Sequence, residues 1–143
     1  MKNELAMQLA VKELPSEFKT QIFEYINKNK IQVEPKLASH KVDSYTKKLL
    51  LFLFTGTRGG NNRLRIALLL AKTPMNTHQI AKELGLDYKA IQFHLNVLEK
   101  NNMITRIGER YGTLFLLSTF LEHNIDAFNE IISKLHKDLQ VYS

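Results

Sequence analysis

The chain has 143 residues, 44% of them hydrophobic and 24% charged, which suits one domain with a real core, or one domain plus a helical extension. It contains no cysteine, so disulfides, thiolate metal sites and cysteine nucleophiles are all excluded. Twenty Lys and Arg against 14 Asp and Glu give a net charge of +6, a balance that favours polyanionic partners and says nothing about fold.

Residues 1–13 read as helical, although Leu5, Met7, Leu9 and Val11 also fit a strand's alternation. Met1–Leu14 mixes polar and apolar residues instead of following a basic head with an apolar block, so no secretory signal is expected. The most apolar run, Leu49–Phe54, is far shorter than the ~20 residues that span a bilayer, and a cytoplasmic protein without membrane contact is expected. Leu14-Pro15-Ser16 is a break. Ser16 then caps a helix with Phe18, Ile22, Tyr25 and Ile26 on one face and Phe23 beside them. Residues 31–42 contain Pro35 and no sustained periodicity, and read as a loop or linker.

Asp43 or Ser44 caps the next segment, Tyr45–Thr55, whose short apolar run periodicity alone cannot tell from a buried strand. The cap before it and Gly56 after it favour a helix. Gly56–Asn62 lacks the Gly-x4-Gly-Lys-Ser/Thr pattern of a phosphate loop and reads as a flexible turn ending in an Asn cap. Arg63–Ala71 follows as an apolar helix, with Leu64, Ala67, Leu68 and Ala71 on one side, Ile66 and Leu70 flanking, and Thr73-Pro74 closing it.

From Thr77 the pattern changes to two short helices. Thr77 reads as the first N-cap, Ile80, Ala81 and Leu84 share a face, Gly85 supplies the left-handed stop, and Leu86 plugs the corner. Asp87 caps the second helix, whose Ile91, Leu95 and Leu98 form an inward stripe with Ala90 and Val97 at its margin. Two short helices joined by a tight Gly-containing turn are a helix-turn-helix. Met103–Ile107 and Thr113–Ser118, joined by Gly108–Gly112, read as a hairpin. Thr119 then caps a helix running to about Tyr142, with Leu121, Ile125, Phe128, Ile132, Leu135, Leu139 and Tyr142 spaced 4-3-4-3-4-3. Such a seam lies on its own core or on a second copy. Its length and terminal position favour a homodimer through Leu121, Ile125, Phe128, Ile132, Leu135 and Leu139.

The order helix, helix, turn, helix, hairpin, long helix resembles winged-helix regulators of the ArsR and MarR type. Thr77–Leu86, T-H-Q-I-A-K-E-L-G-L, is similar to their positioning helix, and Ile91–Ile104, I-Q-F-H-L-N-V-L-E-K-N-N-M-I, to their recognition helix and first wing strand. Gly56–Gly60 and Leu86–Lys89 resemble a sub-group familiar from archaeal regulators. Phe93 stands where those families often carry Arg, and Asn102 where they usually carry Gly.

The resemblance implies a mainly α fold with a small β-hairpin (α+β). A winged helix-turn-helix over 56–118 would follow an N-terminal helical extension, 1–55, and precede a long C-terminal dimerisation helix, 119–143. It also implies double-stranded DNA as partner, with helix 87–101 in the major groove and the wing, 105–113, on the minor groove.

Removing the core stripe leaves Tyr88, Lys89, Gln92, Phe93, Asn96 and Glu99 facing outward on that helix. Gln92 and Asn96 suit bidentate contact with adenine, while Phe93 meets a thymine methyl or packs on the wing or a partner subunit. Lys89, Arg106 and Arg110 are placed for phosphates, with Arg110 a candidate for minor-groove insertion. Thr77, His78 and Tyr111 complete the candidate DNA contacts. His94, between Ile91 and Leu98, reads as a core-edge residue and not a ligand. Between Thr55 and Phe115 nine Lys and Arg stand against four acids, so +5 of the chain's +6 sits on the motif that can use it.

The five histidines show no metal-ligand spacing and no nucleophile motif is present, so neither an enzyme, a cofactor nor a metal is expected. No convergent polar groups support a small-molecule effector site between residues 1–55 and the C-terminal helix. The rival reading is a winged helix that binds protein, with Phe93 and Tyr88 as anchors.

Overall fold

A computed structural model describes residues 16–31, 43–109 and 112–142, with side chains described through Gln140. The helix expected over 1–13, most of the loop expected over 31–42, and Arg110 and Tyr111 lie outside the described residues. The elements run α1 (Ser16–Asn29), α2 (Ser44–Leu51), a π-helical turn (Phe52–Gly56), α3 (Gly60–Lys72), α4 (Thr77–Leu84), α5 (Tyr88–Lys100), β1 (Ile104–Ile107), β2 (Leu114–Leu117), α6 (Thr119–His123) and α7 (Ile125–Tyr142). This is a helical fold with one antiparallel hairpin, a winged helix-turn-helix. Among the described residues no helix is long and apolar enough to cross a membrane. Two compact units divide the chain, one from residues up to Asn61 together with Asn124 onward, the other Asn62–His123.

In the first unit α1 buries Phe18, Ile22, Tyr25 and Ile26, the face its spacing predicts, and packs along α7. Phe128 of α7 is the hub: the Tyr25 and Phe54 rings meet it edge-on, with centroids 6.2 and 5.3 Å away. Aromatic pairs in this geometry add to the burial of their area. The Tyr25 hydroxyl donates to Asn129 Oδ1 at 3.1 Å, and its burial pushes the phenol up to about 12. Asp43 is the cap of α2, its Oδ1 accepting from the Thr46 amide at 2.6 Å; that bond holds its carboxyl below the usual carboxylate range.

Three local expectations are corrected here. The helix expected over Tyr45–Thr55 keeps α geometry only to Leu51. Its last turn widens where the Thr55 hydroxyl donates to the Leu51 carbonyl at 2.8 Å, competing with the backbone ladder. The turn expected to end in an Asn cap ends instead at Gly60, whose amide donates to the Thr57 carbonyl at 2.9 Å, so Asn61 and Asn62 are already helical. A Cβ on Gly60 would stand 3.0 Å from the Phe54 carbonyl, which explains glycine at this approach. The helix expected from Thr119 to Tyr142 is broken at Asn124 into α6 and α7, and the Asn124 carbonyl accepts from the Phe128 amide at 3.2 Å as the first backbone bond of α7. Ser118, and not Thr119, caps α6, its Oγ accepting from the Leu121 amide at 3.0 Å.

The apolar seam is closed inside the chain. Phe128, Ile132, Leu135 and Leu139 are buried where α7 lies on α1 and α2, and Ile125 is half-buried. Leu121 is buried in the other unit. Intramolecular packing therefore accounts for the repeat without a second copy.

In the second unit α3 is buried from Arg63 through Leu70, while Ala71, expected on its inner side, is exposed. Ile80 and Leu84 of α4 and Ile91, Leu95 and Leu98 of α5 form the inward stripes as predicted. β1 and β2 pair in the register Ile104↔Leu117 to Ile107↔Leu114. Met75, just before α4, pairs with Phe115 through two backbone bonds, 3.1 and 2.8 Å long, on the open side of β2. Nothing in the sequence marks that pairing, since a single residue shows no alternation.

Helices α4 and α5 end alike. Gly85 stands at φ +64° and the Leu86 amide returns to the Ala81 carbonyl; Asn102 stands at φ +60° and the Met103 amide returns to the Leu98 carbonyl. Asn tolerates left-handed backbone better than other residues with a side chain, which is how Asn102 serves at a position that otherwise favours Gly. Asn102→Gly is expected to change stability by no more than ~0.5 kcal/mol, and Asn102→Val to lower it by ~1–2 kcal/mol. Urea unfolding of both variants checks the ranking, and an equally stable Val variant would contradict the strain argument.

Candidate nucleic-acid interface

The helix pair is positioned from its N-terminal ends and from behind. Asn76, one residue before the expected cap Thr77, begins α4: its Oδ1 accepts from the Gln79 amide and the Gln79 side chain accepts from the Asn76 amide, both at 2.8 Å. Asn followed three residues later by Gln is a legible capping box, so that signal was present in the sequence. Asp87 is the N-cap of α5, in extended backbone as expected, but its side chain makes no cap bond. The His78 and Tyr88 rings, 4.8 Å apart at 43°, bring the starts of the two helices together.

Behind the pair lie two arginines of α3 that the charge tally had counted as available to a polyanion. Arg63 and Arg65 are each only 5% exposed. Arg65 Nη2 donates to the Leu84 carbonyl at 3.2 Å, at the C-terminal end of α4 where a helix dipole favours a cation, and Nη1 donates to Asn62 Oδ1 at 3.2 Å. Arg63 Nη1 lies 3.4 Å from His94 Nδ1 of α5. Burial of the imidazole, and then the Arg63 charge, holds His94 below its ordinary 6.5; the neutral ring accepts at Nδ1 and carries its proton on Nε2. His94 is thus a core-edge residue, as its place between Ile91 and Leu98 implies.

In front, a cleft of about 460 Å³ opens between the start of α4, the outward face of α5 and the hairpin. It gathers Thr77, His78, Tyr88, Gln92, Asn96 and Arg106 of the candidate contacts. Lys89 and Phe93 are exposed on α5 but do not line it, and Arg110 and Tyr111 lie outside the described residues. Asn76, Thr113 and Phe115 also line it; no local pattern singles out the last two, of which Phe115 is brought to the cleft by its register opposite Arg106. Phe93 is 60% exposed, with the edge of His94 5.4 Å from its ring.

Arg106 does not stand alone in the cleft wall. Its Nε donates to Glu99 Oε2 at 2.7 Å and its Nη2 to Glu99 Oε1 at 2.6 Å, while its guanidinium carbon lies 5.3 Å from the centre of the Phe115 ring. The Arg106 donors hold the Glu99 carboxyl below the usual carboxylate range, and Glu99 pushes Arg106 up. Both partners shift in the direction a formed ion pair requires. Among the described residues no group of His, Asp and Glu could hold a metal ion.

A braced helix pair with a hairpin beside it and amide side chains on the outward face of its second helix defines a winged-helix DNA-binding unit. Residues 60–106 match the sequence model described as bacterial regulatory protein, arsR family, so this segment is similar to an ArsR-type helix-turn-helix domain. No curated protein matches the chain. The family match supports a DNA-binding transcription regulator.

Because His94 resists protonation when folded, the unfolded chain binds more protons below pH 6.5. The stability His94 contributes is present above that pH and is lost as pH falls below it. His136, also held low by burial, adds in the same sense. The melting temperature is expected to fall between pH 7.5 and 5.5, and His94→Gln to make that fall shallower; an unchanged slope in the variant would show that His94 is not a source.

Proposed function

We propose that the protein is a sequence-specific double-stranded DNA-binding transcription regulator acting as a homodimer, with α5 in the major groove and the wing, residues 105–113, on the adjacent minor groove. The observation that carries this is the cleft itself: Gln92 and Asn96 stand side by side in it, one helical turn apart, within the segment that matches the arsR family. Both offer the paired donor and acceptor that the major-groove edge of adenine requires. Thr77, His78 and Tyr88 lie at the helix starts, where amides and dipoles favour phosphate. Lys89 is exposed beside them for the backbone. Arg110 and Tyr111 are proposed as the wing's contacts from their place in the sequence alone. The homodimer part of the reading follows from how helix-turn-helix proteins engage two half-sites ~34–36 Å apart, and not from the α7 seam, which the chain itself covers.

Phe93, 60% exposed and outside the cleft, favours a second reading, a winged helix that docks on another protein. Gel retardation of random duplex DNA at low salt separates the two. Retardation that weakens with salt is expected, and its absence would leave the adaptor.

Lys89→Ala is expected to weaken binding to all duplexes alike and to reduce the salt slope by about one. Gln92→Ala and Asn96→Ala are expected to cost ~1–3 kcal/mol at particular base pairs of a site selected from a random pool, leaving other positions untouched. Equal loss on every sequence would remove base reading from α5. Sedimentation should give a dimer at micromolar concentration; a monomer there would contradict the two-half-site arrangement.

A further inference from the structure

Among the described cations of the candidate interface, Arg106 is held on one edge and beside one face. A guanidinium carries five N–H donors in a planar fork. Glu99 takes the Nε donor and one donor of Nη2, with bonds of 2.7 and 2.6 Å, and the Phe115 ring lies 5.3 Å from the guanidinium carbon. The opposite edge, Nη1 and the remaining Nη2 donor, keeps two parallel N–H groups whose direction the Glu99 fork fixes. Arg106 lines the same cleft as Gln92 and Asn96. Glu99 comes from the last turn of α5 and Arg106 from β1, so the pair also sets that edge relative to the base-reading helix.

We propose that Glu99 is a positioning residue that presets Arg106 as a bidentate clamp on two oxygens of a DNA backbone phosphate. This rests on the DNA reading above. A carboxylate near a polyanion weakens binding by repulsion, so an acid at this place makes sense as an orienting group only if the fork it aligns returns more than that repulsion takes away. The pair is exposed, with its side chains 51% and 32% accessible, so a bare surface attraction would add little to stability and the pair's effect should appear in binding.

The test is a set of full-length variants titrated against a duplex selected from a random pool and against random duplex, across a range of salt. Arg106→Lys, which keeps the charge and loses the fork, is expected to weaken the selected duplex about as much as Arg106→Ala does, roughly tenfold. Glu99→Ala is expected to weaken it severalfold although it removes a negative charge, Glu99→Gln to recover part of that loss through its remaining acceptor, and all to melt within a few degrees of wild type. Combined with Arg106→Ala, Glu99→Ala should weaken binding no further. Loss on random and selected duplex alike is the result expected of a phosphate clamp, and loss confined to one base pair would overturn it. Tighter binding by Glu99→Ala, or equal effects with and without Arg106, overturns the positioning role and makes Glu99 a simple competitor. Failure of the wild type to retard any duplex overturns the DNA reading itself, and the two failures are read from different proteins.

Discussion

Two buried guanidinium groups set the geometry from which the rest of the interface follows. A buried cation is tolerated only when its donors are met, and Arg65 meets the end of α4 while Arg63 meets the edge of α5. The turn between the two helices fixes how the chain passes from one to the other. The arginines fix where each helix rests on α3. An outward face with Gln92 and Asn96 aligned toward one cleft needs both conditions, because a rotation of α5 about its axis would turn both amides away from the cleft together. The cost of this arrangement is that neither arginine is free for a polyanion, so the cationic surface of the unit is smaller than its formal charge suggests.

The elements of the second unit were legible in the sequence because local chemistry and tertiary packing agree there. The 3.6-residue stripes of α4 and α5, the left-handed Gly85 and the β-branched hairpin each point to one structure, and the structure has it. What remained hidden had no periodic signature. The bridge at Met75 is one residue long, the burial of Arg63 and Arg65 breaks the rule that charges face water, and the Glu99–Arg106 fork joins residues seven apart across a turn. The seam of α7 in the first unit is ambiguous for the opposite reason. A heptad seam is the same whether its partner is another helix of the chain or a second molecule, and only the position of α1 decides.

Of the outward residues, the cleft selects by depth. Gln92 and Asn96 line it and Lys89 and Phe93 do not, although all four face outward in the sequence pattern. The pattern gives direction about an axis but not where the neighbouring hairpin closes the wall. Arg106 and Phe115, opposite one another in the strand register, supply that wall.

The two backbone bonds between Met75 and Phe115 have a mechanical consequence for how such a unit can be controlled. They fasten the hairpin to the residue that leads into α4, while the Schellman turn at Asn102 fastens its other strand to the end of α5. With both roots anchored, the hairpin cannot swing as a hinged flap without first breaking main-chain bonds, each worth ~0.5–1.5 kcal/mol net. A signal that changes the grip on DNA therefore has to displace the whole reading head as one body, or unfasten the hairpin outright.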